Sequence, residues 1–474
     1  MHKSIIKSAG VMTKFRSLTF LILQKPKQVY ILLFSGIVVG GLTGLIGSYF
    51  QLAIVSMGKL RHYLLSFGAQ NEIWQWSFPI VFTLICLIAS LLIVRRFAPE
   101  ASGSGVQEIE GVLSEKRTLR WYRVLPVKFF GGILTLSAGM VTGREGPTIH
   151  MGGAIGEMMS KKFKIEPGFT HTFIAAGAAA GLSCAFNAPI AGILFVIEEM
   201  RPHFKYSFMS MQCVILASVA STVVMRMIIG QEQAIPMAIF SQPPIASIWL
   251  FIAFGCIFGI MGVIFNKYLL KTMDYFTYLK PKTYWTNIIL IGIGVGILTK
   301  IYPEAVGGGY EVIPQALKMQ LPVMSLLLIF VIRMATTWTC YGSGIPGGIF
   351  APMLALGTVF GMWFGHYAQL LFPGLVNDPG IFAVAGMSAL FAATVGAPLT
   401  GIVLVAEMTL NYELLLPLIL TCFSATVVTY LLGGTPIYES LLIRTLRIAR
   451  EKGEKLIKRN PSKRKIHKHH PHDD

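Results

Sequence analysis

The sequence predicts an all-α protein that crosses a membrane several times and contains two copies of one structural unit. Composition is the first sign: hydrophobic residues make up 54% of the 474 positions, charged residues only 13%, and mean hydropathy is positive. A soluble chain of this length needs far more charge. The second sign is an internal match. Pro99-Glu100-Ala101 with Gly103 and Gly105 returns 204 residues later as Pro303-Glu304-Ala305 with Gly307 and Gly309. Gly143, Pro147, Gly152 and Gly156 return 205 residues later as Gly348, Pro352, Gly357 and Gly361. Ala176, Gly177, Ala188, Pro189, Gly192 and Glu198 return 209 residues later as Ala385, Gly386, Ala397, Pro398, Gly401 and Glu407. Chance similarity between apolar helices would match Leu and Val, not Gly and Pro at fixed spacing. A repeated membrane unit points to a transporter with its site between the repeats.

Taken in order, residues 31–50, 78–94, 247–265 and 414–432 are each long and apolar enough to cross a bilayer. Other segments, such as 143–156, are broken by Gly and Pro into pieces of about ten residues. Half-length helices at membrane depth are tolerated only where they line a cavity enclosed by protein. The expected divisions are a segment 1–29, repeat one over 30–232, repeat two over 245–443 and a basic tail 444–474.

The formal charge of +18 lies mostly at the ends: Lys3, Lys7, Lys14, Arg16, Lys25 and Lys27 precede the first span, and Lys and Arg fill 444–468. Without a soluble domain, the positive-inside rule accounts for this better than nucleic-acid binding. Both termini are then cytoplasmic and the number of crossings is even. The tail is expected to be helical, then disordered; its His467, His469, His470 and His472 read as a solvated cluster rather than a metal site. Six cysteines, Cys86, Cys184, Cys213, Cys256, Cys340 and Cys422, stand singly in apolar stretches and read as small hydrophobes. The apolar run 18–23 is too short for a signal-peptide core.

Three glycine-rich breaks each precede a predicted helix: Gly103-Ser104-Gly105-Val106-Gln107, Gly143-Arg144-Glu145-Gly146-Pro147 and Gly347-Gly348-Ile349-Phe350-Ala351-Pro352. Pro147 and Pro352 fit the first helical turn, where a missing N–H costs nothing. A helix start carries about half a positive charge and unpaired N–H groups, so it suits an anion. Several such starts meeting at midplane hold a small anion without a full cation, which would bind it too tightly for fast release. A single break is more readily a plain helix start or a Gly-mediated helix contact; three, related through the repeat, favour the anion reading.

Those segments, with the late Pro436-Ile437-Tyr438, resemble the signature segments of the CLC chloride channel/transporter family, in order and at compatible spacing over about residues 30–445. The resemblance implies a CLC-type fold of two inverted-topology repeats with many tilted and half-length helices. It also implies a homodimer in membrane lipid, with a separate anion pathway in each subunit. By position, Ser104 and Tyr438 would donate hydroxyls to a central anion, and the backbone N–H groups of Ile349 and Phe350 would complete that site. Gly103, Gly105, Arg144 and Gly146 would supply helix-start backbone along the path. Glu145 would be the gate, competing with anion and taking up a proton when displaced, and Glu199 the internal proton-transfer acid.

Each residue also has a structural reading. Ser104 with Gln107 forms the capping-box pattern S-x-x-Q. Tyr438 alone would be an interfacial tyrosine, and Glu198, Glu199 and Arg201 a charged helix end. The repeat sorts them: Glu198 has a counterpart in Glu407, whereas Glu199 falls opposite Met408 and Glu145 opposite Phe350. Carboxylates present on one side of a symmetric scaffold hint at function. Lys128, in an apolar run and matched by Arg333, needs a partner; the choices are an ion pair with Glu110 or a snorkelling side chain.

The first break runs on as Val106-Gln107 where the family usually has Ile-Pro, so anion affinity or selectivity can differ; retention of Ser104 favours chloride. The expected function is chloride/proton antiport, with chloride and protons as the transported partners and neither cofactor, metal nor nucleic acid. A passive chloride channel is the alternative, and Glu199 discriminates, because channel members generally lack that acid. A fluoride exporter fits less well for the same reason. An intramembrane hydrolase would need a Ser/His or paired-Asp site, and only His150 lies near the breaks. The expected location is a prokaryotic plasma (inner) membrane.

Overall fold

The structure is a computed structural model; it describes residues 26–459 except 69, 164–166, 201–206 and 238. Arg201, the basic segment before residue 26 and the tail histidines lie outside the described residues.

The described chain is helical, and its helices fall into two matching series. The first contains α1 (Pro26–Phe67), α2 (Glu72–Phe97), α3 (Val106–Leu113), α4 (Trp121–Ser137), α5 (Glu145–Lys162), α6 (Pro167–Phe186), α7 (Pro189–Glu198) and α8 (Phe208–Ile229). The second contains α9 (Ile248–Tyr278), α10 (Pro281–Ile301), α11 (Val312–Leu317), α12 (Val323–Gly342), α13 (Phe350–Leu371), α14 (Gly380–Val395), α15 (Pro398–Thr409) and α16 (Leu415–Leu431). A last helix, α17, spans Ile437–Arg459. A 3-10 turn at Pro99–Ala101 precedes α3, and its mate at Pro303–Ala305 precedes α11.

The predicted spans all form, but α1 runs well past residue 50. Its 42 residues make a rod of about 63 Å, roughly twice the hydrocarbon thickness, so it tilts or projects into water. The added turns carry Lys59, Arg61 and His62. These charges hid the helix from a reading based on apolar runs.

Small residues let the helices approach closely. Gly152 of α5 and Gly177 of α6 face each other so that a Cβ on either would overlap the other's carbonyl; Gly357 of α13 and Gly386 of α14 repeat the arrangement. On α1, Gly40 and Gly44 lie against the backbone of Ala217 and Ser221 on α8. With no hydrophobic drive between helices in lipid, such close approach supplies the packing energy.

The two series meet about a pseudo-twofold axis. Gly143 and Gly348, equivalent positions, exchange both backbone hydrogen bonds at 2.7 Å in an antiparallel bridge. The helices that follow, α5 and α13, therefore start beside each other and run apart, as an inverted repeat requires. The exchange recurs at the ends of the short helices. Glu198 accepts from Leu399 N (3.0 Å) and Thr400 N (2.7 Å) at the start of α15; Glu407 accepts from Ile190 N (3.1 Å) and Ala191 N (2.8 Å) at the start of α7. Each carboxylate thus caps the other repeat's helix dipole. The shared structural role expected for this pair is what the geometry gives.

Lys128 and Arg333 form the third such pair, and Lys128 takes neither of its two choices: it makes no ion pair with Glu110, and, fully buried, it does not snorkel. Lys128 Nζ donates to the carbonyls of Ala101 (2.9 Å) and Gly103 (2.6 Å). Arg333 donates to those of Glu304 (2.8 Å), Val306 (2.9 Å) and Gly307 (2.9 Å). Both cations are buried, and both satisfy carbonyls left over where a 3-10 turn ends and a glycine loop begins. Glu110 turns instead towards Glu199.

Candidate functional site

Four helix starts or loops converge on the pseudo-twofold axis, and the sequence explains each. The loop before α3 turns at Gly103 (φ +64°) and Gly105 (φ +91°), a left-handed conformation that favours glycine. It is pinned across the axis, since Gly103 N donates to Ile345 O and Gly347 N to Gly103 O, both at 3.0 Å. Gly105, not Ser104, is the N-cap of α3, and no side chain caps that helix. The S-x-x-Q capping box is therefore not formed. The positive φ at Gly105 moves the cap one residue on and frees the serine hydroxyl.

Ser104 is fully buried, and its Oγ lies against Gly146 in the first turn of α5, where a β-carbon would collide with it. Its backbone N–H donates to the hydroxyl of Tyr341 at 3.2 Å. The hydroxyl of Tyr438, from the start of α17, faces Ser104. Neither Ser104 Oγ nor Tyr438 OH makes a hydrogen bond with the protein. An unsatisfied buried hydroxyl costs about 1–3 kcal/mol, so two directed at one point form a place suited to a polar ligand. Tyr438 is itself held by stacking on Phe350 at 5.8 Å, within a cluster that includes Phe391 and Phe195.

Ile349 and Phe350 are buried at the start of α13, where first-turn N–H groups have no intrahelical acceptor. The carboxylate of Glu145, first residue of α5, lies across the axis at that start. Its Oε2 accepts from Ala351 N at 3.4 Å and its Oε1 from the hydroxyl of Tyr310. Glu145 is completely buried and in no salt bridge among the described residues. Arg144 beside it places its guanidinium over the ring of Tyr310, 4.3 Å from the centroid, and donates to Ala185 O at 3.1 Å. A carboxylate thus sits where a helix start offers positive potential to an anion.

Glu199 ends α7, half-buried, with the carboxyls of Glu110, Glu198 and Glu439 nearest to it. It is not among the groups that act on Glu145, but it lies near enough to Tyr438 for their charges to interact, and α7 packs on Phe350 through Phe195. Gln107 is buried with Oε1 unpaired. His150 is buried against Gly105, and neither ring nitrogen has a hydrogen-bond partner, so it forms no Ser/His pair. The cysteines are all free thiols. Sequence reasoning missed Tyr310 and Tyr341. Tyr310 directly follows the second-copy glycines Gly307–Gly309, a position the repeat could have flagged; Tyr341, inside an apolar helix, left no signal.

Comparisons with known proteins show the family and the fold. The family described as "Voltage gated chloride channel" matches residues 86–430. The chain is 47% identical over 414 residues to the H(+)/Cl(-) exchange transporter ClcA of Vibrio parahaemolyticus, covering 86% of this chain and 89% of that one. It is 46% identical over 444 residues to the H(+)/Cl(-) exchange transporter ClcA of Vibrio cholerae, with 93% and 95% covered. The crystal structure of a slow cyanobacterial Cl−/H+ antiporter superimposes with a TM-score of 0.85 at 42% identity, covering 88% of this chain and 98% of that chain.

Proposed function

The chain belongs to the voltage-gated chloride channel (CLC) family, and from that premise we propose that it exchanges chloride for protons across a bacterial inner membrane. The observation that carries the reading is Glu145: a buried carboxylate seated on the N-terminus of α13, in a position an anion would take. Chloride and this carboxylate compete for one place. When chloride takes it, the displaced carboxylate is an unpaired charge in a low-dielectric cavity and binds a proton. Acid therefore opens the gate, and chloride flux rises as pH falls.

In this reading Ser104 and Tyr438 coordinate the central anion together with the N–H groups of Ile349 and Phe350, and Gly103, Gly105, Arg144 and Gly146 shape the approach. Two hydroxyls and the helix-start groups together offset a few kcal/mol of chloride desolvation. Glu199 loads and drains the proton by a route separate from that of the anion. The charged groups nearest Glu199 are Glu110, Glu198 and Glu439, with Glu145 not among them, which supports that separation. A passive channel is the alternative, and it has no use for Glu199. We also propose a homodimer in which residues 190–197 and 414–427 meet the partner. Ile190, Leu416, Phe423 and Val427 expose an apolar face there with nearly no charge. The chain would have both termini cytoplasmic and the repeat divisions 30–232 and 245–443.

The reading is tested in liposomes containing only this protein. An imposed chloride gradient should drive protons against their own gradient; chloride movement with no proton movement would leave the channel alternative. For the central site, Tyr438→Ala should weaken chloride binding in calorimetry by about tenfold, the worth of one hydrogen bond to a charged group, and should loosen proton coupling. Wild-type chloride affinity in that variant would remove Tyr438 from the site.

A further inference from the structure

The hydrogen bond from Tyr310 to Glu145 is the strongest feature that the exchange reading leaves unused. Residues 307–310 are the second-repeat counterpart of 103–106, the loop that carries Ser104. The two loops approach the α5 start from different sides. The first places the Ser104 hydroxyl against Gly146. The second passes with Gly308 close to the Thr142 carbonyl (a Cβ there would lie 3.1 Å away) and ends with the Tyr310 hydroxyl on Glu145 Oε1. The tyrosine ring is fixed from its face by Arg144, which is itself held by Ala185 O.

From this geometry we infer that Tyr310 is a positioning residue for the gate, holding the Glu145 carboxylate on the α13 start and so setting the pH at which chloride displaces it. The inference rests on Glu145 being the gate. Glu145 in this position accepts from Tyr310 OH and from the backbone N–H groups of Ala351 and of Glu145 itself. The tyrosine is the one that a substitution can remove without altering the backbone.

The charged and titratable surroundings leave that role to Tyr310. On its own helix start Glu145 has Arg144, whose guanidinium is spread over the tyrosine ring. From α6 the nearby thiol is Cys184, close to Arg144. From α4, Lys128 is spent on the Ala101 and Gly103 carbonyls and neighbours His150. From α3, Glu108 pairs with Arg117 and Glu110 faces Glu199. The α1 cation Arg61 faces Glu311 and Cys86. From α13 the contact is the Ala351 backbone.

The direction of the effect follows from the donor. A phenol donating to a carboxylate favours its ionised form, so a more acidic solution is needed to protonate it. Tyr310→Phe removes one oxygen and keeps the ring under Arg144. The pH of half-maximal chloride flux should rise by about one unit, a tenfold gain in proton affinity, while the ratio of protons to chlorides stays at the wild-type value. Site-specific replacement of Tyr310 by 3-fluorotyrosine, a stronger donor of nearly the same shape, should move the midpoint the other way. In a Glu145→Gln background, Tyr310→Phe should leave the pH profile flat.

A merely structural tyrosine would lower flux evenly at every pH with the midpoint unmoved. That result, or an equal midpoint shift in the Glu145→Gln background, overturns the proposal. A flat profile in Glu145→Gln alongside a wild-type midpoint in Tyr310→Phe defeats the proposal and leaves the gate reading intact. Persistent wild-type pH dependence in Glu145→Gln alone defeats the gate reading, and the Tyr310 proposal with it.

Discussion

Glu145→Gln should abolish proton movement while chloride continues to flow, at a rate that no longer depends on pH. The amide has nearly the shape of the protonated acid but no titratable proton and no charge. A carboxylate at a partly buried helix start gains up to about 2 kcal/mol from the local field, roughly thirtyfold in occupancy. The amide loses that hold on the start of α13, where Glu145 Oε2 now accepts from Ala351 N. Chloride then meets a weaker competitor at all pH values. Parallel recordings of chloride efflux and proton uptake in liposomes check both halves of the expectation. Proton uptake at the wild-type ratio would remove Glu145 from the proton path, and an unchanged pH profile would remove it from the gate.

The second large effect separates the two glutamates. Glu199→Gln should also stop proton movement, yet keep the acid activation of chloride flux, because the group that competes with chloride is untouched. The structure makes this separation reasonable: Glu145 lies on the axis with α13, whereas Glu199 ends α7 beside the carboxyls of Glu110 and Glu439. Comparing the pH profile of chloride flux with that of proton flux in the same vesicles reads out each role. If Glu199→Gln still pumps protons against their gradient at the normal ratio, Glu199 is structural and the passive-channel alternative loses its discriminator.

Much of the scaffold was legible in the sequence because the repeat is written in residues with specific backbone or capping duties. Gly143 and Gly348 mark the bridge on the axis, and Glu198 and Glu407 mark the reciprocal caps. The equivalence of Lys128 and Arg333 was legible too, but their partners were not. They bond to backbone carbonyls, and a carbonyl leaves no trace in the sequence. The capping box at Ser104 failed for a related reason: a positive φ at Gly105 shifted the helix start by one residue. The positions of the three breaks followed from glycine, proline and helix physics. The particular roles of Tyr438 and Glu199 came from the family resemblance. The repeat could have flagged the position of Tyr310, but not its partner, since only the folded chain brings its hydroxyl to Glu145 across 165 residues.

The central claim is that chloride binding and protonation of Glu145 are one linked event. Linkage requires each ligand to raise the affinity of the other by the same factor. Calorimetric titration of the purified protein with chloride, repeated in buffers of different ionisation enthalpy near neutral pH, measures the protons taken up per chloride bound. Wild-type protein should take up protons as chloride binds, and the uptake should vanish in Glu145→Gln. Chloride binding to the wild type with an identical heat in every buffer would mean that no proton accompanies the anion, and would contradict the account.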